Sequence, residues 1–293
     1  MMDRIEIKSQ RLSVTMQYPG TYYKGSRFDW TGFITDVILD GKHSFCTDES
    51  SVPGVGTGGR GLCNEFGIEE PVGYDEAKVG EKFTKIGIGL LEKDNLEKYA
   101  FDKPYKISPF DFEVDIKPDK AVFISEPCSY NGYAVRLIKD VSVKENFLTI
   151  KYTLENTGQK TIETTEYVHN FINIDKAGIG PHMNLSFSFD LEGDCIFDGD
   201  NVLNISKREI EWDRIPNGVF YFKLEGLKEK SCWWMLENKI TGTGIKEIDD
   251  FPVTKVALWG TECVVSPEIF INLSVEPGKT QTWTRTYEFF SKK

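Results

Sequence analysis

Leu148-Thr149-Ile150-Lys151-Tyr152-Thr153-Leu154-Glu155-Asn156-Thr157-Gly158 decides the fold class. Apolar side chains take every second position and polar ones the positions between, the two-residue period of a strand with one buried face. Asn156-Thr157-Gly158 then supplies a turn. The same period recurs in Leu185, Phe187, Phe189 and Leu191, and in Trp283, Arg285, Tyr287 and Phe289. It also runs through Ile269, Ile271, Leu273 and Val275, where Pro277-Gly278 stops it. Further strands are predicted near 4–8, 11–18, 33–39, 121–126, 134–143, 164–173, 219–224 and 231–236. Helical patterning is weak, with at most a turn or so expected at 94–101 and a loop at 75–83. The longest irregular region, 40–80, is rich in Gly, Asp, Glu and Ser, and a long loop inside a compact domain is more often functional than decorative. No repeat or linker divides the chain. The expectation is one all-β domain over 1–293, two large antiparallel sheets face to face with a long loop at one rim.

Composition narrows the function. With 46 acidic and 35 basic residues the formal charge is −11, and no Lys/Arg cluster offsets it. That excludes nucleic acid and an anionic membrane as natural partners. No apolar run approaches the roughly 20 residues that span a bilayer. Met1 to Lys8 alternates charged and apolar residues and does not read as a secretion signal. Six cysteines (Cys46, Cys63, Cys128, Cys195, Cys232, Cys263) lack C-x-x-C spacing, so reduced thiols in a cytoplasmic protein are expected.

Several motifs can be set aside. Gly54-Val55-Gly56-Thr57-Gly58-Gly59 spells G-x-G-x-x-G, but that motif holds a dinucleotide only between a strand and a helix. Here polar loop residues flank it on both sides, and a flexible loop is the better reading. Three histidines far apart in sequence (His43, His169, His182) argue against a poly-His metal site. They are also the only side chains whose ordinary pKa lies near neutrality, and so are acid–base candidates. On pattern alone, His169 on its strand reads first as a hydrogen-bonded structural residue.

Thr165-Glu166-Tyr167-Val168-His169-Asn170-Phe171-Ile172-Asn173-Ile174 resembles the H-x-Y-F-N-L segment of the galactose mutarotase-like (aldose 1-epimerase) superfamily. Upstream, Leu148 to Gly158 is similar to that family's strand ending in N-T-G. Ile269 to Val275 with Glu276-Pro277-Gly278-Lys279 resembles its closing L-x-P-G-E and terminal aromatic strand. Gly59-Arg60-Gly61-Leu62-Cys63-Asn64-Glu65-Phe66-Gly67 is similar to the R-G-G-I-P…F-G loop of the hexose-phosphate epimerase branch. Arg27-Phe28-Asp29-Trp30-Thr31-Gly32 resembles a signature of an uncharacterised branch. Together these pieces span nearly the whole chain.

The resemblance implies an antiparallel β-supersandwich with a sugar site on a sheet face. It implies a Glu taking the proton of the anomeric hydroxyl while a His gives one to the ring oxygen, with no cofactor or metal. His169 matches the family acid. Trp259-Gly260-Thr261-Glu262-Cys263-Val264-Val265-Ser266-Pro267-Glu268 offers two carboxylates for the base; Glu268 is preferred, with Glu262 second. Arg60 is the candidate for ring hydroxyls or a phosphate. Arg27 and Asp29 are sugar contacts or an internal salt bridge. Trp30 and Trp234 are stacking platforms or core residues, and His182 bounds the site or sits in a loop. Family members active on free sugars carry a second His in an H-G-F-A-R-like segment. Here Lys85-Ile86-Gly87-Ile88-Gly89-Leu90 stands there, leaving Lys85 as the candidate donor. The expected partner is a small carbohydrate bound by a monomer or homodimer. The rival expectation is a carbohydrate-binding relative without turnover.

Overall fold

A computed structural model describes residues 4–292. Two ten-stranded antiparallel sheets and a small three-stranded sheet make up the chain. The first sheet runs Arg4–Lys8, Leu12–Gln17, Phe33–Leu39, Leu62–Phe66, Ile162–Asn170, Val265–Val275, Val253–Gly260, Phe220–Glu229, Asp194–Gly199, with His43–Ser44 beside Phe33–Leu39. The second runs Leu203–Ile205, Glu209–Trp212, Met183–Phe187, Cys232–Asn238, Thr243–Asp249, Thr280–Ser291, Phe147–Asn156, Val135–Lys144, Lys120–Ser125, Phe112–Lys117. Lys82–Lys85, Gly89–Glu92 and Ile107–Pro109 form the third. Among the described residues there is no α-helix, only a 3-10 turn at Ile174–Lys176. No helix of the described residues is long and apolar enough to cross a membrane.

One continuous cluster of buried apolar side chains, from Ile5 to Phe289, lines the inner faces of the large sheets. This is what period-2 patterning demands, since each strand has one face to remove from water. A second cluster around Tyr23, Phe28, Phe83, Tyr105 and Phe171 joins the three-stranded sheet to residues of the first sheet.

The structure departs from the sequence expectation at informative places. Leu62–Phe66 lies inside the stretch expected to be loop, yet it is a buried strand between Phe33–Leu39 and Ile162–Asn170. Its polar Asn64 and Glu65 hide it from pattern reading. Gly61 and Gly67 bound it at positive φ, and a Cβ on either would fall 2.3 Å from the Ile34 carbonyl or 2.7 Å from the Glu70 carbonyl. The 94–101 segment forms bends rather than a helical turn. Leu185 to Leu191 leaves the sheet after Phe187, whereas the strand expected from Ile269 begins earlier, at Val265. All six cysteines are free.

Between the sheets lies a wholly buried polar layer centred on Arg285. Its guanidinium reaches Glu166 at 2.7 Å, Glu247 at 2.8 Å and Asp249 at 3.3 Å, and donates to the Ile269 carbonyl at 3.0 Å. Trp234 donates to Glu247 (2.7 Å), Trp283 donates to Glu166 (3.2 Å), and Asn64 also donates to Glu166. Burial and the neighbouring Glu247 charge push the Asp249 carboxyl well up. A charge buried this way is tolerated because its partners surround it; removing it leaves carboxylates unpaired. Arg285→Met is therefore expected to lower stability by about 3–5 kcal/mol, read as a fall in the urea midpoint. Arg208→Met, which breaks the exposed pair with Asp190, is the control and should leave the midpoint unchanged.

Candidate active site

Alternation along Ile162–Asn170 sorts its side chains to two faces. Glu166, Val168 and Asn170 point into the sandwich, while Tyr167 and His169 point outward. The neighbouring strand does the same, with Glu268 and Phe270 outward. These two strands pair continuously from Ile162↔Val275 to Glu166↔Ile271, and pairing resumes at the Ile172–Val265 bridge. Pro267, which has no N–H to donate, lies in the gap between. Side chains fill in. Asn170 donates to the Pro267 carbonyl at 2.6 Å, and the Asn170 backbone N–H donates to Ser266 Oγ at 2.9 Å.

His169 and Glu268 meet across this gap. His169 Nδ1 lies 2.9 Å from Glu268 Oε1 and 2.6 Å from Ser266 Oγ, and the Ser266 hydroxyl donates to Glu268 Oε1 at 3.0 Å. With its own proton directed to Glu268, the Ser266 hydroxyl accepts from Nδ1–H, which fixes the orientation of the imidazole and leaves Nε2 for chemistry. Nε2 makes no hydrogen bond to the described residues. The ring is clamped, stacked on Phe171 with centroids 4.1 Å apart and edge-on to Trp259 at 5.3 Å.

His169 and Glu268 line a cleft of about 970 Å³. Its apolar walls are Trp259, Tyr221, Phe270, Tyr99 and Phe101; its polar edge includes Arg27, Glu49, Lys98, Asp198 and Lys223. Glu49 accepts from the backbone N–H of Thr57 and Gly59 (2.6 and 3.1 Å), tying down the Gly-rich 54–59 loop, whose Gly56 and Thr57 edge the cleft. Thus the G-x-G-x-x-G run is a wall loop, followed by a strand rather than a helix.

Behind Tyr167 sits a second buried charge cluster. Glu65 accepts from Arg27 Nε at 2.9 Å, from Tyr167 Oη at 2.7 Å and from Lys85 Nζ at 3.3 Å, and Arg27 also donates to Tyr167 at 3.1 Å. Burial pushes the Glu65 carboxyl up, but Lys85 and Arg27 outweigh it, so it lies below the ordinary carboxylate value. Burial pulls Lys85 down to about 8 against the attraction of Glu65.

Of the residues singled out from sequence, Arg27, His169 and Glu268 line one cleft. The others lie elsewhere, Asp29, Trp234 and His182 in the internal salt bridge, core and loop of their alternative readings. Lys85 is fully buried behind Glu65 and donates to protein groups only. Asp29 is sealed in with Lys139 at 3.2 Å and Thr31. Trp234 is core, its indole committed to Glu247. Arg60 turns away to Asp36, Asp48 and the Thr35 carbonyl. His182 bonds the Gly178 carbonyl, and Glu262 is exposed on the turn before the strand. Neither lines the cleft. Sequence reasoning passed over Ser266, Trp259 and Tyr167. Tyr167 carried a usable signal: two positions before His169 on a strand, it had to share its face.

Solved structures share this architecture end to end. A galactose mutarotase-like protein from Lactobacillus casei ATCC 334 superposes with a TM-score of 0.64 at 11% identity, over 98% of this chain and 100% of that one. A galactose mutarotase related enzyme from Lactobacillus acidophilus gives 0.62 at 13% identity, over 98% and 97%. This chain has the galactose mutarotase-like fold. An aldose epimerase homologue from C. elegans shares that fold less closely, at 0.54 and 12% identity over 99% of both chains. No family model and no curated protein matches the sequence. At such identities the galactose mutarotase-like likeness is one of fold, and any activity has to be argued from the cleft itself.

The buried lysine gives a test of the wall. Between pH 8 and 10.5 the folded chain sheds the Lys85 proton while the unfolded chain keeps it, so the unfolded state binds more protons. Raising the pH through that window then favours folding. The stability of the wild type relative to Lys85→Met should therefore climb from pH 8 to 10.5, measured by urea denaturation at stepped pH. A flat difference would mean that Lys85 titrates normally.

Proposed function

We propose that this protein interconverts the anomers of a hexose or related aldose, with Glu268 as base and His169 as acid. The observation that carries this reading is their contact, 2.9 Å on the floor of one cleft. The anomeric hydroxyl oxygen and the ring oxygen are bonded to the same carbon, so the groups serving them must both reach one small region, as two side chains lining one cleft can. Glu268 takes the hydroxyl proton as the C1–ring oxygen bond breaks, and His169 Nε2–H protonates the departing ring oxygen. The open aldehyde turns about its C1–C2 bond. On closure the neutral imidazole takes back the proton from the attacking hydroxyl, and Glu268 returns its own to the new anomeric oxygen. Atoms and charge balance with no cofactor.

Other features support a sugar. Trp259, Tyr221 and Tyr99 offer apolar faces to the C–H side of a pyranose, and Arg27, Glu49 and Asp198 offer partners to its hydroxyls. The likeness to proteins described as mutarotase-like or epimerase homologues agrees with this choice. A competing reading, a carbohydrate binder without turnover, has one observation in its favour: Glu268 Oε1 is already engaged by both Ser266 and His169.

One-dimensional NMR of anomer exchange across a panel of aldoses and their 6-phosphates separates the two. Acceleration by the wild type, falling about 10²–10⁴-fold in both Glu268→Gln and His169→Ala, is the expected result. Ligand line-broadening without acceleration for any sugar would leave the binder and end the catalytic assignment.

A further inference from the structure

We infer that the substrate is the reducing end of an oligosaccharide, whose remaining units lie in a second groove continuing the cleft along the same sheet face. This rests on the epimerising role of His169 and Glu268 argued above. Four cross-strand pairs project outward in file. His169/Glu268 comes first and stacked Tyr167/Phe270 second, its centroids 4.5 Å apart. Thr165/Asn272 and Glu163/Ser274 follow in register. At strand rise the row spans about 20 Å, several linked pyranose rings and far more than one.

Beyond the aromatic pair the face opens into a groove of about 820 Å³. Glu163, Thr165, Asn272, Ser274 and Tyr133 are part of its lining. The side-chain oxygens and nitrogens of the first four make no hydrogen bond to the described residues, and Glu163, Asn272 and Ser274 are exposed. A row of unpaired carboxylate, amide and hydroxyl groups suits a ligand that presents hydroxyls at regular intervals. Glu69 is common to the linings of cleft and groove. It pairs with Lys255 at 2.9 Å, and Lys255 Nζ lies 4.0 Å over the Phe270 ring. The partition between the two cavities is therefore one side-chain ion pair over an aromatic face. The polarity of the ligand follows from the chemistry. Epimerisation needs a free anomeric carbon over His169 and Glu268, so the chain leaves from the other end of that ring, across Phe270.

The test compares kcat/KM for anomer exchange on malto-, cello- and xylo-oligosaccharides of one to four units. Wild type should gain at least about tenfold from one unit to three in one series. Glu163→Ala/Asn272→Ala, two exposed positions away from the proton-transfer pair, should abolish that gain and leave the single-unit rate unchanged. Turnover that is equal for one and three units in every series overturns the inference while the epimerase reading stands, as does a variant that slows both lengths equally. If no sugar is turned over, the epimerase reading fails, and calorimetric titration with the trisaccharides decides the groove. Binding lost in the double variant upholds the glycan track, and no binding, or binding unchanged in the variant, overturns it.

Discussion

A single guanidinium, buried between two sheets and facing three carboxylates, is the constraint to which the rest of this structure answers. Arg285 enters from the second sheet and meets Glu166 of the first, with Glu247 and Asp249 alongside. Placing these groups in a low-dielectric interior is unfavourable unless every one is met, and a one-residue slip of any contributing strand would leave a charge facing hydrocarbon. The layer therefore specifies register. Register in turn specifies the site, because the alternation that sends Glu166 and Asn170 inward sends Tyr167 and His169 outward.

The same strands that must pair tightly beneath the site are parted at it. Pro267 interrupts the ladder, and Asn170 and Ser266 bridge the opening. Asn170 has both tasks at once. Its side chain donates to Glu247 in the ionic layer and to the Pro267 carbonyl at the gap, while its backbone N–H holds Ser266. Ser266 reaches both His169 and Glu268. A continuous chain of hydrogen bonds thus runs from Arg285 to the imidazole, and the His169–Glu268 pair is positioned by the buried ionic layer.

Reading the sequence recovered what alternation encodes. The strands at 148–155 and 283–289 and the two-sheet architecture follow from period-2 burial; motif resemblance singles out His169 and Glu268, which meet in one cleft. What escaped was polar burial. Leu62–Phe66 looked like loop because Asn64 and Glu65 sit at its centre, and only partners distant in sequence, Glu166, Arg27 and Tyr167, make those positions acceptable inside. The same reason leaves Trp234 and Asp29 open between ligand contact and internal role in the sequence, and makes Arg60 read as a ligand contact. A polar or aromatic residue reads as a ligand contact when its protein partners, here Glu247, Lys139, Asp36 and Asp48, are not visible locally.

Lys85 shows how a candidate donor can instead support the cleft from behind its wall. Motif resemblance makes it a candidate donor to a ligand, but its amino group is turned behind Tyr167 onto Glu65. With Lys85 on one carboxylate oxygen and Arg27 and Tyr167 on the other, Glu65 is fully buried and closed to a ligand. The cluster then stiffens the wall instead of donating across it. The polar side chains at the rim of the cleft are Arg27, Glu49 and Lys98, and His169 and Glu268 stand on its floor. On the proposed reading, the reacting ring meets polar side chains already committed to protein partners, Arg27 to Glu65 and Glu49 to Thr57. That is the situation in which binding energy gathered from units farther along the sheet has most to contribute to the chemical step.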